Sequence, residues 1–270
     1  MLVDTHAHLN FKDFKKDLDQ VIKRSVENGV AKIICVGNSL ADSKKAIEIA
    51  KKYPKKVFAA IGIHPQDTAP DNLESDTLEY RKELEKQIKQ LGKLAQEKEV
   101  IAIGECGLDY SPAPPGEKDR TKKDQAFLFK RQLEIALKFK LPVIIHTRKA
   151  FHETTNILEQ YAIPKLEGVF HCYSAGKKGI KKVNQLGFFY GVDGNLTYEE
   201  GLQIVFQQIP LEKILLETDC PFLAPEPFHG QRSEPAYIKI IAEFLAKLKK
   251  IQPDKIAQAT TQNAEKLFQI

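Results

Sequence analysis

Histidine and carboxylate side chains hold divalent ions and activate water, and this chain spaces them in a way that suits both tasks. His6 and His8 flank Ala7 near the start of the chain. On an extended strand, side chains alternate faces, so these two imidazoles point the same way, one pleat apart, where they can share one ion. A histidine pair alone says little, because imidazoles also occur at frayed ends. However, five of the seven histidines lie where a short apolar run stops: His6, His8, His64, His146 and His171. Two carboxylates occupy equivalent places, Glu105 and Asp219. His6, His8, His146, His171, Glu105 and Asp219 together exceed what one tetrahedral zinc needs. Six ligands suit two divalent ions about 3.5–4 Å apart, which acidify a bound water and clamp the attacking and leaving oxygens. That is hydrolytic chemistry.

Something must bring these stops together. Short apolar runs cover residues 2–5, 32–36, 57–63, 100–104, 142–145, 168–170, 188–192 and 214–217. Amphipathic, helix-like segments separate them, such as 14–28 with Leu18, Val21, Ile22 and Val26 in register, and 124–140 with Phe127, Leu133, Ala136 and Leu137. Ser39 is placed to cap the helix after the second run, and Pro253 opens the last one. Eight strands alternating with helices in 270 residues predict a (β/α)8 TIM barrel. A doubly wound open sheet is the main alternative, but the first strand is followed by no G-x-G-x-x-G. In a parallel barrel the C-terminal strand ends converge on one face, which places the metal site there. A single domain over residues 1–270 is expected. Polar segments at 66–76 and 111–118, around Pro70 and Pro114, read as loops on that same face.

Six motifs now carry a resemblance: Asp4-Thr5-His6-Ala7-His8-Leu9, Gly62-Ile63-His64-Pro65, Gly104-Glu105-Cys106-Gly107-Leu108-Asp109-Tyr110, Pro142-Val143-Ile144-Ile145-His146-Thr147-Arg148, His171-Cys172-Tyr173-Ser174 and Leu216-Glu217-Thr218-Asp219-Cys220-Pro221. The chain resembles the TatD-family metal-dependent hydrolases of the amidohydrolase superfamily along its whole length. The resemblance implies a (β/α)8 barrel and two-metal hydrolysis, with 3′–5′ exodeoxyribonucleases among its members. It implies that His6, His8 and Asp219 hold one ion, that Glu105 bridges, and that His146 and His171 hold the second. Asp219 would also orient or deprotonate the attacking water, so Asp219 and Glu105 are the catalytic candidates. Two departures stand out. Arg232-Ser233-Glu234-Pro235 replaces the family's usual Arg-Asn-Glu-Pro, and Lys149 stands where an acidic residue is usual.

A phosphodiester needs charge neutralisation, an in-line nucleophile and help for the leaving alkoxide, and two divalent ions supply all three. Histidine-rich ligation favours zinc, manganese or nickel, while carboxylates and phosphate substrates admit magnesium. His64 is a substrate-binding candidate, as a phosphate contact, a proton donor or a support for a ligand. Arg148 and Arg232 are candidate phosphate clamps, with surface ion pairing as the alternative for each. Glu217 shares parity with Asp219 and is expected to face the site, while Asp109 is read as a loop hydrogen-bonder. Cys106, Cys172 and Cys220 each follow a candidate ligand and are expected to point away from it, into core space. His152 and His229 are read as non-ligands.

Composition limits the other readings. The chain carries 41 basic and 36 acidic residues, an excess that permits a polyanionic partner without demanding one. Four dispersed cysteines and no apparent signal peptide fit a reduced, cytoplasmic protein. No apolar run is long enough for a bilayer, and no obligate protein partner is evident. The expected partner is DNA, single-stranded or at a 3′ end. Hydrolysis of a carbon–nitrogen or ester bond, including D-aminoacyl-tRNA deacylation, is the alternative. The fourth strand offers Glu105 rather than the lysine that many such enzymes modify. A metal-stabilised adaptor barrel is a third reading, which the six-ligand set argues against.

Overall fold

The computed structural model describes residues 1–66, 77–112, 121–161 and 166–270. Eight parallel strands are hydrogen-bonded in sequence order: β1 (Leu2–Ala7), β2 (Val30–Val36), β3 (Val57–Ile61), β4 (Val100–Asp109), β5 (Val143–Arg148), β6 (Gly168–Phe170), β7 (Phe189–Val192) and β8 (Ile214–Leu216). A parallel bridge between Ala7 and Cys220 links β1 to the segment after β8, and the cylinder closes there. The helices between and after them are α1 (Leu18–Glu27), α2 (Leu40–Lys52), α3 (Leu78–Leu94), α4 (Lys122–Phe139), α5 (Phe151–Glu159), α6 (Gly176–Leu186), α7 (Glu200–Phe206), α8 (Ile238–Lys249) and α9 (Pro253–Phe268). The expected TIM barrel is the observed architecture.

Local chemistry starts the helices where the sequence signals it. Ser39 accepts a hydrogen bond from the Asp42 N–H at 3.1 Å, Thr77 does the same for Tyr80 and Thr121 for Asp124. Helices stop at residues that tolerate a left-handed turn, such as Gly187 with φ 77°. The polar segments expected at 66–76 and 111–118 lie outside the described residues, except for Gln66, Ser111 and Pro112.

Side chains sort into two layers. Val3, Ile34, Ala60, Ala102, Ile144, Val169, Phe189 and Leu215 form the barrel interior, and Leu267 and Phe268 of α9 join this inner cluster. Leu2, Ile33, Ile61, Ile103, Val143, Phe170, Tyr190 and Leu216 face the helices in the larger cluster. Two strands do not keep simple alternation. The pairing register shifts between Asp4 and Ala7 in β1, and between Ile103 and Cys106 in β4. Ala7 and Cys106 both pack outward, so His6, His8 and Glu105 are turned to the interior. From β3, β5 and β6, His64, His146 and His171 reach the same side in period-two register with Ala60, Ile144 and Val169, and Asp219, three residues past the end of β8 with φ 52°, joins them.

Strand ends also differ from the expectation. β4 continues to Asp109 rather than stopping at Gly104, and β5 continues to Arg148 rather than Ile145. The two extensions pair with each other, His146 beside Gly107 and Arg148 beside Asp109. Gly107 makes this possible, because a Cβ there would lie 1.9 Å from the His146 carbonyl oxygen.

Candidate metal centre

All six expected ligands converge at the C-terminal end of the barrel. His6 Nε2 lies 3.1 Å from His8 Nε2. Both nitrogens face Glu105 Oε2, at 3.6 and 4.0 Å, and Asp219 Oδ1, at 3.6 and 3.3 Å. Tetrahedral ligands about 2.0–2.1 Å from one zinc lie roughly 3.3 Å apart, so these four donors already keep the spacing of a shared ion. The other Glu105 oxygen turns away from this group. Its Oε1 stands 2.6 Å from His146 Nδ1, 2.9 Å from His171 Nε2 and 4.0 Å from His64 Nε2. One carboxylate thus divides its oxygens between two histidine groups.

The outer edges of His8 and His146 are held by hydrogen bonds. His8 Nδ1 donates to the Val36 carbonyl at 3.1 Å, which leaves the Nε2 lone pair facing the cluster. His146 Nε2 meets Asp109 Oδ2 at 3.0 Å, whereas His171 Nδ1 makes no hydrogen bond and has Glu217 Oε1 3.4 Å away as its ion-pair partner. His6 Nδ1 has no hydrogen-bond partner. Asp109 therefore belongs to the cluster as the group that orients His146, and is more than a loop hydrogen-bonder. Its other oxygen accepts from the Ser111 N–H at 2.8 Å. The extension of β4 is what places it there, and its spacing of four residues from Glu105 gave no such signal.

Glu217 faces the site as its parity predicts. It is fully buried, accepts from the Cys172 N–H at 2.6 Å, and leaves Oε2 unpartnered. Asp4 lies behind His6, accepting from Thr218 Oγ1 at 2.6 Å and from the Thr218 N–H at 3.0 Å. Cys106 and Cys220 pack outward, as expected for core thiols. Cys172 does not. Its backbone adopts φ 45° and its thiol lies 3.9 Å from Asp219 Oδ2. β6 ends at Phe170, two residues before Cys172, so alternation no longer governs its direction. Asp193, just past β7, also lies close to this corner. Sequence reading passed over it because no histidine marks that strand end. Burial raises its pKa to about 7 despite hydrogen bonds from Cys172 and Asn195.

Electrostatics follow from so many ionisable groups buried together. Burial opposes the Glu105 anion, but the charge of His171 and the hydrogen bond from His146 outweigh it and hold its pKa well below the usual range. Burial likewise opposes charge on His171, and Glu105 and then Glu217 raise its pKa well above the ordinary value. His6 moves the other way, through burial and the adjacent His171. His64 is pushed down to about 3 by burial and by the charge of His146, so its ring is neutral near pH 7. Its Nδ1 accepts from the Gln66 N–H at 3.1 Å, which leaves a proton on Nε2, the nitrogen facing Glu105.

The donor set fits divalent ions. Imidazole nitrogens and carboxylate oxygens are borderline-to-hard ligands suited to zinc or manganese, and this much buried negative charge needs cations near it. Among the described residues four overlapping groups have ligand atoms within 4.8 Å of one another: His6/His8/Glu105, His6/His171/Asp219, His64/Glu105/His146 and His171/Cys172/Glu217.

A model of the family described as TatD related DNase matches residues 3–269. The chain belongs to the TatD family. It is 38% identical over 273 residues to the uncharacterized metal-dependent hydrolase YabD of Bacillus subtilis, covering 100% of both chains. It is 32% identical to the 3′–5′ ssDNA/RNA exonuclease TatD of Citrobacter rodentium, covering 100% of this chain and 98% of that one. The crystal structure of the TatD homologue YjjV of Escherichia coli superposes with a TM-score of 0.85 at 29% identity, covering 100% of this chain and 98% of that one. Like its TatD relatives, the chain is a metal-dependent hydrolase.

The remaining candidates lie outside the cluster. Arg148, at the end of β5, is exposed on the catalytic face. Arg232 is committed elsewhere, forming two bonds to Asp17 at 2.9 and 2.7 Å and lying 4.9 Å above the Phe14 ring. Beside it, Glu234 pairs with Arg24 at 2.7 Å. The segment that departs from the TatD pattern therefore ties the barrel mouth to α1. At the departure itself, Ser233 is buried with an unpartnered hydroxyl. His152, near the start of α5, and the exposed His229 lie apart from the cluster. Among the described residues, no helix is long and apolar enough to cross a membrane.

Proposed function

We propose that this chain is a two-metal 3′–5′ exodeoxyribonuclease acting on single-stranded DNA or 3′ ends. The observation that carries this reading is the division of Glu105, with Oε2 on the His6/His8/Asp219 group and Oε1 on the His146/His171 group. His6, His8 and Asp219 would hold one divalent ion, His146 and His171 the other, and Glu105 both. Zinc, manganese, nickel and magnesium are the candidates. When bound, such a pair supplies Lewis acidity and lowers the pKa of water.

The protein's own residues do the rest. Asp219, whose side chain is 14% exposed, is the carboxylate nearest solvent among the six and is placed to take a proton from the attacking water. Neutral His64 presents Nε2–H to a phosphate oxygen and acts as a hydrogen-bond donor rather than a proton source. Arg148 at the end of β5, and Lys149, Lys177 and Lys178 on the segments that follow β5 and β6, are exposed, where they attract a phosphate backbone. Arg232 stays bound to Asp17, and its part as a phosphate clamp would require breaking that pair. The four cysteines are free, which suits the reducing cytoplasm, and residues 1–270 act as one barrel domain.

The test is hydrolysis of 5′-labelled single-stranded DNA by protein reconstituted with each metal, beside Glu105→Ala. A ladder shortening from the 3′ end, absent in the variant, is expected. Equal background from both proteins would end the nuclease reading.

A further inference from the structure

The turn that follows β1, at the mouth of the metal centre, carries two cations without acidic partners among the described residues, Lys12 and Lys15. Residues 12–14 form a short 3₁₀ turn, and the Lys15 N–H closes it onto the Lys12 carbonyl at 3.2 Å. Side chains three apart eclipse in such a turn, about 6 Å apart along its axis, so both lysines leave the backbone on the same side. Both are exposed. Nearby lysines are paired, Lys45 with Asp42, Lys51 with Glu97 and Lys52 with Asp19. The turn itself is pinned. Phe14 is fully buried at its centre, and Arg232 crosses it, donating to the Asp13 carbonyl at 2.7 Å and pairing with Asp17. At its start the Phe11 N–H bonds to the His8 carbonyl at 3.0 Å, and the Phe11 ring stacks on His8 with centroids 4.6 Å apart. The first lysine thus stands four residues beyond a candidate ligand, on a fixed path.

A hollow of about 460 Å³ opens here, lined in part by Lys12 and Lys15 and by half-buried Phe11, Leu18 and Ile49, with Glu48 as the one acid among its lining residues. Charge around the rest of the mouth gives a direction. In a closed ring of eight staves, β5 stands opposite β1. At the end of β5 and after it and its neighbour β6 lie the exposed Arg148, Lys149, Lys177 and Lys178. After β7 come the exposed acids Glu199 and Glu200. A polyanion spanning the mouth from β1 to β5 passes over the metal centre, meets cations at both ends and keeps clear of the β7 side.

We propose that Lys12 and Lys15 hold two phosphates of the strand beyond the scissile one, with the intervening sugar against the hollow, and that the strand crosses the mouth from β1 to β5. The proposal rests on the nuclease reading and narrows its substrate class to strands of several nucleotides over small phosphodiesters. The metal cluster engages the scissile phosphate, and the lysine pair engages its neighbours. Phosphate and sugar contacts position a strand and carry no sequence information directly, so this site is indifferent to the bases.

Two substrates test it with the metal-reconstituted protein: a long oligothymidylate, and thymidine 5′-p-nitrophenyl phosphate, which has no further phosphate. The quantity read is the ratio of their kcat/KM values, strand over small diester, for the wild type, Lys12→Gln/Lys15→Gln and Lys89→Gln/Lys93→Gln. The last variant removes equal charge from exposed lysines of α3. At low salt the ratio should fall in Lys12→Gln/Lys15→Gln and hold in the α3 variant. Each phosphate contact on a single strand adds about 0.7 to the salt slope, so two add about 1.4, and a fourfold rise in salt should lower the wild-type ratio about 7-fold more than that of Lys12→Gln/Lys15→Gln. If the wild type cleaves the strand and Lys12→Gln/Lys15→Gln keeps both its ratio and its salt dependence, or if the α3 variant falls equally, the lysine site is refuted and the nuclease reading stands. If the wild type leaves the strand intact, the nuclease reading fails and the site fails with it. All four lysines are exposed, so both variants stay folded, which their thermal melts verify.

Discussion

Gly191→Ala should damage the metal centre from behind. Gly191 lies in β7, and a Cβ there would stand 2.5 Å from both Glu217 carboxylate oxygens and 2.6 Å from its Cδ. The φ of Gly191 is not in the left-handed region, so alanine imposes no backbone strain and acts only through the carboxylate. Ordinary contact begins at 3.4 Å, so Glu217 must retreat by roughly 0.9 Å. That movement would stretch the 2.6 Å bond from the Cys172 N–H beyond hydrogen-bond range and pull Oε1 off His171 Nδ1, now at 3.4 Å. Overpacking of this kind costs about 1–3 kcal/mol. Losing the acceptor that orients a ligand histidine typically lowers metal affinity or activity about 10- to 100-fold. The assay pairs urea unfolding of the metal-free proteins with metal affinity measured by competition with a chromophoric chelator. Gly201→Ala is the control, because nothing lies within 4 Å of a Cβ there. It should be neutral or slightly stabilising. Wild-type metal affinity in a Gly191→Ala protein that has lost 1 kcal/mol or more of stability would refute the orienting role of Glu217.

Glu105→Gln keeps the shape of the shared carboxylate and removes its charge from both histidine groups. Activity should fall at least about 100-fold, and metal content should fall with it by elemental analysis; full activity would contradict the shared role. Chelating the metal should lower the thermal midpoint, because an ion that binds only the folded state at 100 times its Kd adds about 2.7 kcal/mol; an unchanged melt would argue against a buried metal site. Asp17→Asn tests the anchor of Arg232. Its hydrogen bond and charge hold the Asp17 pKa below the ordinary carboxylate value, so the pair stabilises above the unfolded pKa of about 3.9 and is lost as pH falls through the folded value. The substitution should cost about 0.2–1 kcal/mol at neutral pH, as partly exposed pairs do, and nothing in acid; a cost that grows on acidification would reverse this sign.

The barrel and the gathering of the six candidate ligands at strand ends were legible in the sequence because both follow from the alternation of apolar runs with helices. Eight apolar runs alternate with amphipathic helices, each run must stop on the same face, and side-chain types at those stops are read directly. His64, His146 and His171 also keep period-two register with inner residues of β3, β5 and β6. The site's second layer was legible only in part. Parity alone pointed Glu217 inward, but Asp109 became a partner of His146 only because β4 and β5 run several residues further than their apolar stretches. Cys172 turned toward Asp219 because it lies past the end of β6, in a left-handed conformation that strand parity does not describe. Arg232 joined Asp17 of a segment more than two hundred residues away, a pairing that no spacing rule reaches. The opening His-x-His shows the division most clearly. Its residue types set its chemistry, and alternation makes the two imidazoles point together. Yet continuous alternation from Val3 would aim both away from the barrel axis, and only the register shift between Asp4 and Ala7 turns them inward. A register shift is set by pairing with the neighbouring strand, not by the strand's own sequence, so the tertiary structure decides it.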